Sequence, residues 1–501
     1  MSAVVECADE RVEHARPAVL QPWCRWRTGV AYAVVVAVAR LLIARLPLTP
    51  DEGGYLLAAS QWHHGTSTYG NYFVDRPPLL MAVYALAGVL GGGLVLRLLG
   101  VVAAVAAVLV AGRIAGRAAA AAVAVLVVTP LFGTTNVDGE LLALPFILAG
   151  LLALLRAVSP IDRPSLRAGV GAGVLAMAAM LIKQNMLDVF VAAASVCVVL
   201  AANRHWRSAA RLGGSVAAGA LAAGAVALSL AWARGTSPAH LWDALVTFRF
   251  QAGSLISAQG SAAGGTAHRL HQLLRSLVLS GAPFVGLVAL VAAGRPALRM
   301  TSDRPWRLDL RWVALPVIGW EAVGVVLGGS YWLHYLIALI PGLVLLLGAV
   351  RRLGVSRQGP RVPVLLGTSL LASAISATIA FVGVAVHQPQ QDSDARIAAY
   401  LSAHRQAGDT VVVAFGHPNI VYDAGMTSPY EHLWSLSARV RDPRLLDLTR
   451  LMDQPRPPQW VVVAGASLGT WGVDATAADQ ALHRHYRAVA AAGDWHIFER
   501  D

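Results

Sequence analysis

The chain has almost no lysine. Lys183 is the single example among 501 residues, so nearly all of the 40 positive side chains are arginine. Charge of either sign is scarce too: 14% of residues are charged and 56% are hydrophobic, against roughly 25% charged in an average soluble domain. That shortage excludes a soluble globular protein, whose cores need more polar surface to cover them. Cysteine is as sparse. Cys7 and Cys24 lie in the N-terminal tail and Cys197 inside an apolar block, so no disulfide framework is implied. The net charge of +12 invites a nucleic-acid reading. In a chain this apolar, however, arginine placement about a bilayer is the first explanation, and no nucleic-acid partner is expected. A cleavable signal peptide is missing as well: residues 1–27 are polar and of mixed charge, and no small-residue cleavage site follows the apolar stretch from Thr28 to Leu46. That stretch reads as a retained first span.

What is present is a series of apolar blocks, at about 28–46, 77–92, 94–112, 116–133, 140–156, 167–182, 186–202, 210–233, 271–293, 311–328, 333–350 and 362–386. Most approach the roughly 20 helical residues that cross about 30 Å of hydrocarbon. Arginine-rich connectors alternate with connectors poor in positive charge. The rich ones carry Arg113/Arg117, Arg156/Arg163/Arg167, Arg204/Arg207/Arg211, Arg295/Arg299/Arg304/Arg307/Arg311 and Arg351/Arg352/Arg357/Arg361. If 77–92 crossed fully, every later arginine-rich loop would lie opposite the arginine-bearing N-terminus. The segment is short, opens with Pro77-Pro78 and closes with Gly91-Gly92-Gly93, which suits a helix lying at the outer face. The chain then reads as an α-helical polytopic protein of the cell membrane with about 11 transmembrane helices plus juxtamembrane helices. Its N-terminus is expected in the cytoplasm and its C-terminus outside.

Three parts follow: a cytoplasmic tail over 1–27, a transmembrane domain over 28–389 and a small extracytoplasmic α/β domain over 390–501. In the last, β-like runs cover Thr410–Phe415, Trp460–Ala464 and Trp495–Glu499, with helical patterns at about 393–406, 443–453 and 475–487. Gly416-His417-Pro418-Asn419 follows a strand, where α/β domains bind ligands, although a structural role serves equally. The segment 234–270 reads as a long external loop, with a mobile Gly/Ser/Ala-rich part from Gly253 to Gly265.

The first external loop concentrates the chemistry. It begins Thr49-Pro50-Asp51-Glu52-Gly53-Gly54-Tyr55 and returns through Tyr72-Phe73-Val74-Asp75-Arg76-Pro77-Pro78-Leu79. Charges at the hydrocarbon edge are costly unless paired or used. The structural alternative is a capped juxtamembrane helix, since Thr49-Pro50-Asp51-Glu52 is also a good helix start.

Asp51-Glu52, Tyr55 three positions on, and an aromatic-rich stretch ending Arg76-Pro77-Pro78-Leu79 resemble the signature of GT-C membrane glycosyltransferases. The branch most similar holds protein O-mannosyltransferases, aminoarabinose lipid A transferases and Rgt-type bacterial glycosyltransferases. Arg76 stands where that family usually has lysine, and keeps the charge. The resemblance continues in order through Asn136-Val137-Asp138-Gly139-Glu140, through Leu181-Ile182-Lys183-Gln184-Asn185, and through Tyr331-Trp332-Leu333-His334-Tyr335 with Pro341.

The resemblance implies an inverting transferase that moves a sugar from a polyprenyl-phosphate donor to a hydroxyl of an extracytoplasmic acceptor: a cell-envelope glycan, a glycolipid or a protein. Because phosphate is already a good leaving group, such an enzyme needs one carboxylate to take the acceptor proton and cations to hold the departing phosphate. Asp51 is the candidate base. Glu52 orients it, binds acceptor or only caps the helix, and Asp138 (or Glu140) supplies a second acidic group. Arg76, Lys183 and His334 are the candidate phosphate ligands. Their structural alternatives are snorkelling or pairing with Asp75, anchoring of a helix end, and membership of an interfacial aromatic belt. Tyr55, Tyr72, Trp332 and Tyr335 are the aromatics expected to shape the approach of sugar and lipid. No metal-ligand spacing is present; GT-C oligosaccharyltransferases do use a divalent metal, so a cofactor stays open. A transporter or lipid flippase and a catalytically inactive envelope scaffold are the alternative readings. Against the transporter, no internal repeat is found and the marked charges gather at one membrane face.

Overall fold

A computed structural model of the chain describes residues 21–159, 163–259, 265–294, 308–352, 361–386 and 389–501. Most of the N-terminal tail with Cys7, and the arginines at 295, 299, 304, 307 and 357, lie outside the described residues. The first helix starts ahead of the expected residue 28: α1 is Gln21–Leu42, followed by α2 Pro50–Ser60, α3 Pro78–Leu90, α4 Gly93–Ala115 and α5 Arg117–Leu126. Then come α6 Gly139–Ala157, α7 Leu166–Ile182, α8 Asp188–Ala202, α9 Trp206–Ala233, α10 Pro238–Trp242, α11 Phe248–Gln259, α12 Gly265–Leu279 and α13 Ala282–Ala293. The membrane part closes with α14 Arg311–Leu327, a 3₁₀ helix Leu333–Leu339, α15 Ile340–Arg352 and α16 Arg361–Val386.

Five of these helical stretches are long and apolar enough to cross a bilayer, and α12 with α13 makes a sixth if that pair, bent by 59°, is one span. Five more apolar helices, of 10 to 17 residues, include Pro78–Leu90, Arg117–Leu126 and Leu166–Ile182. Against the expected 11 or so spans plus juxtamembrane helices, the described residues therefore give five or six full-length candidates and five shorter apolar helices. Local breakers explain the short pieces: Gly116 (φ +80°) separates α4 from α5, and Lys183 in extended backbone stops α7. Apolar side chains face outward along the long helices, among them Leu371, Ile379 and Val386 on α16. Water would penalise that belt and lipid does not. Exposed Trp206 and Trp232 mark the two ends of α9, the usual place of interfacial tryptophan. This is a multi-pass membrane protein.

Helices in lipid gain little from apolar burial and associate through close backbone approach. The α7–α9 pair does this with glycine. A methyl on Gly173 would fall 1.9 Å from the Val216 carbonyl, and one on Gly219 would fall 2.1 Å from that of Val170. Gly173→Leu is expected to lower the melting temperature in detergent by several degrees or abolish recovery, since overpacking costs about 1–3 kcal/mol or more. Gly171→Leu, on the same helix with open space beside it, is expected to match wild type in the same melt.

The segment 234–270 departs from expectation. It forms α10, a π turn over Asp243–Thr247 and α11 through Gln259; residues 260–264 lie outside the described residues. Phe73 and Phe248 meet edge to face, with centroids 4.8 Å apart, so α11 is held on an apolar contact that periodicity within a Gly/Ser-rich stretch does not reveal.

The C-terminal part contains α17 Pro389–His404, β1 Val411–Ala414, α18 Pro418–Asp423, α19 Ser435–Arg441, α20 Leu446–Met452, β2 Trp460–Ala464, α21 Thr476–His485, β3 Tyr486–Ala492 and β4 Trp495–Arg500. The sheet order is β1-β2-β4-β3, with β1 parallel to β2 and the other pairs antiparallel. The expected strands are present. β3 was not expected, because its alanine-rich sequence has low strand propensity; the hairpin turn at Gly493 (φ +60°) returns it onto β4. This part sits on the first loop. Phe73 N–H donates to the Glu431 carbonyl at 3.2 Å, Ser67 Oγ donates to Glu431 Oε1 at 2.6 Å, and Tyr72 exchanges hydrogen bonds with the Ser428 backbone. The first loop is therefore fastened to the 428–431 segment of the C-terminal part.

Candidate active site

The site grows from the start of α2. Thr49 and Glu52 form a reciprocal capping box with Pro50 at the first helical position, the arrangement that pairs otherwise orphaned N–H groups. Glu52 goes further. Its Oε2 accepts from Thr49 N and Oγ1, each at 3.0 Å, and from Arg97 Nη2 at 2.8 Å; its Oε1 accepts from Val137 N at 2.9 Å. The side chain is 0% exposed. Both oxygens accept hydrogen bonds, so Glu52 caps α2, and the same carboxylate ties that helix to the segment that delivers Asp138. Arg97 also donates to the Pro47 carbonyl at 3.1 Å and to that of Thr135. Arg40 donates to Thr134 O at 2.7 Å and Val127 O at 3.1 Å. Two arginines thus bind the backbone on either side of the 129–137 turn.

Asp51, the preceding residue, is only half-buried. Its Oδ1 accepts from the indole N–H of Trp434 at 2.9 Å. One turn on, Tyr55 packs edge-on against Tyr84 (5.3 Å) and tilted against Trp434 (5.2 Å). The guanidinium of Arg76 lies 5.7 Å from the Tyr55 ring centre. Asp75 holds two arginines: Arg76 Nη1 at 2.7 Å and Arg249 Nη2 at 2.8 Å. Burial works to raise the Asp75 carboxyl, but Arg249 and Arg76 outweigh it and hold the group below the usual carboxylate range.

Behind these lies a second layer. Asp138 stands at the N-cap position of α6 with no capping bond, and Glu140 is in the first turn; Lys183 ends α7. Carboxylates at a helix N-terminus and a cation at a C-terminus each suit the local dipole. Lys183 Nζ is ion-paired with Glu140 and lies 4.7 Å from the Tyr335 ring centre. His334 Nδ1 is 3.3 Å from Asp138 Oδ2, and its Nε2 is 3.7 Å from Glu140 Oε1. Gly133 makes room, since a Cβ there would be 2.7 Å from the His334 nitrogen. The layers form one electrostatic unit: Asp51 and Arg76 act on His334, Asp51 acts on Asp138, and Arg76 acts on Lys183.

The structure therefore gathers Asp51, Glu52, Tyr55, Arg76, Asp138, Lys183, His334 and Tyr335 from four separated segments. Two expected aromatics stand elsewhere. Tyr72 is fully buried, with its hydroxyl spent on Ser428 and Gln61, so it clamps the loop to the C-terminal part. Trp332 is 50% exposed and has the Arg269 guanidinium 5.2 Å from its ring centre. All three candidate cations have acidic partners: Lys183 pairs with Glu140, His334 lies against Asp138, and Arg76 pairs with Asp75 while facing the Tyr55 ring. The residue pattern did not single out Arg97, Arg249 and Trp434. An arginine inside an apolar block signals a paired charge, so Arg97 was findable; nothing in the chain points to Trp434. Among the described residues, no three His, Cys, Asp or Glu side chains are arranged to hold a metal.

Against solved structures, ArnT from Cupriavidus metallidurans bound to undecaprenyl phosphate superposes with a TM-score of 0.58 at 17% identity, covering 96% of this chain and 98% of that one. The chain has the GT-C fold. The apo state of the same ArnT gives a TM-score of 0.57 at 16% identity, over 95% and 97% of the two chains. The GT-C oligosaccharyltransferase AglB from Archaeoglobus fulgidus, in complex with an inhibitory peptide and a dolichol-phosphate, reaches 0.47 at 13% identity over 87% and 69%. No family model and no curated protein matches the sequence. The GT-C likeness is thus carried by the tertiary structure, at an identity where residue roles rest on this chain's own geometry.

Proposed function

We propose that this protein is an inverting glycosyltransferase that moves a sugar from a polyprenyl-phosphate carrier to a hydroxyl of an extracytoplasmic acceptor. The observation that carries the reading is the gathering of Asp51 and Arg76 about Tyr55: Arg76 lies 5.7 Å from its ring centre, and Trp434, which holds Asp51, packs 5.2 Å from the same ring. Asp51 has one oxygen anchored and Oδ2 without a partner among the described residues. The acceptor oxygen attacks the anomeric carbon as Asp51 takes its proton, and the sugar–phosphate bond breaks with its electron pair leaving on phosphate. Arg76 and Arg249 meet the developing charge, for which guanidinium geometry is suited. Lys183, His334, Asp138 and Glu140 set the field behind them, and Tyr55 and Tyr335 bound the approach. The fold's association with undecaprenyl phosphate in ArnT supports a lipid-phosphate donor.

The same reading puts the N-terminus in the cytoplasm and residues 390–501 outside, with 77–92 at the outer face. The arginine-rich connectors support this, as do the hydrogen bonds between the first loop and residues 428–431 of the C-terminal part.

The test is transfer from a panel of radiolabelled polyprenyl-phosphate sugars by membranes containing the protein. Consumption of one donor identifies the carrier and sugar; no consumption of any donor overturns the transferase reading in favour of a transporter or scaffold. With the donor known, Arg76→Ala is expected to lower kcat about a hundredfold, the usual cost of one transition-state donor. Arg76→Lys is expected to retain most of the rate, and equal loss in both would argue against a phosphate charge role.

A further inference from the structure

We propose that Trp434, from the C-terminal part, is a positioning residue for Asp51, so that the C-terminal domain completes the active site. The proposal rests on Asp51 being the base. The indole N–H donates to Asp51 Oδ1 at 2.9 Å, and its ring leans on Tyr55 at 5.2 Å. Helix α2 is built to receive this segment. A methyl on Gly54 would fall 2.5 Å from the Trp434 ring and 2.5 Å from Pro418, and one on Gly53 would fall 2.4 Å from the Asn419 Cα. Two consecutive glycines inside a helix weaken it, and here they open the face on which the C-terminal segment lies directly behind the carboxylate.

The indole is itself held. Trp434 precedes α19, and its carbonyl accepts from Ser437 Oγ at 2.8 Å and Ala438 N at 3.2 Å. The chain just before it is pinned to the first loop through Glu431 and Ser428. A half-exposed carboxylate otherwise turns freely. Fixing one oxygen leaves the other as proton acceptor in a set orientation.

Trp434→Phe keeps the ring and removes the N–H. It is expected to lower kcat about tenfold to a hundredfold, the range of a lost hydrogen bond to a charged group, with the donor KM nearly unchanged. Gly54→Ala, which displaces the indole while sparing both partners, is expected to lower kcat in the same way. Asn419→Ala loosens the same docking without touching Asp51 and is expected to leave kcat near the wild-type value. An active wild type with an undiminished kcat in Trp434→Phe overturns the proposal alone, as does an equal kcat loss in Asn419→Ala, which would mean docking only. A wild type that transfers no sugar overturns the reading of the site and this proposal together.

Discussion

Asp51→Asn is expected to reduce sugar transfer by about a hundredfold to ten-thousandfold, the span that a positioned general base contributes. The substitution preserves volume and leaves an amide oxygen able to accept the Trp434 N–H, so expression and melting temperature should match wild type. Binding of polyprenyl phosphate should also survive, because Arg76, Arg249 and Lys183 are untouched. The informative measurement is single-turnover transfer beside lipid-phosphate binding on the same purified protein. A lost rate with retained binding places the defect in the chemical step; a full rate removes Asp51 as the base. Asp138→Asn is the comparison. That carboxylate is buried beside His334, and a larger loss there than at Asp51 would exchange the two roles.

Glu52→Ala is expected to act on stability. Removing one partner of a buried ion pair costs about 3–5 kcal/mol, because the other charge is left uncompensated, and a lost cap adds roughly 1 kcal/mol. Arg97 is 4% exposed and Glu52 is its only acidic hydrogen-bond partner among the described residues. The variant should therefore melt well below wild type in detergent or fail to accumulate. Replacing both members, Glu52→Met with Arg97→Leu, is expected to recover a good part of the loss, since an apolar pair of similar volume is often no worse than a buried salt bridge. A stable but inactive Glu52→Ala would instead assign Glu52 to the chemistry.

The neighbouring acids show how far residue reasoning reached. Asp51 and Glu52 arrive together in the chain, and both the capping box and the acidic signature are visible there. Which acid caps and which faces the site follows from helical geometry once partners are known: Glu52 turns toward Arg97 and Val137, and Asp51 toward Trp434. Arg76 was legible through its proline pair, and Lys183 through being the only lysine. That Lys183 would pair with Glu140 depends on α6 and α7 packing side by side so that the start of one lies beside the end of the other, a contact between residues 43 positions apart. Tyr72 and Trp332 lie in stretches that carry the GT-C resemblance; the fold uses the Tyr72 hydroxyl to clamp the loop and leaves Trp332 half-exposed. β3 was invisible for a similar reason: an alanine-rich segment becomes a strand only when β4 is there to pair with it.

Several things were decided by the sequence alone: a membrane protein, a helical body with a small C-terminal sheet, and a charged first loop. Each depends on composition or on periodicity within one segment, and the cost of exposing apolar groups to water or charges to lipid is the same in any fold that buries them. The tertiary structure alone decided the set of partners. Hydrogen bonds and ion pairs act over about 3 Å, and the chain positions they join here are up to 383 residues apart. Only the packed helices and the C-terminal segment lying on α2 bring Asp51 to Trp434, Glu52 to Arg97, and Lys183 to Glu140.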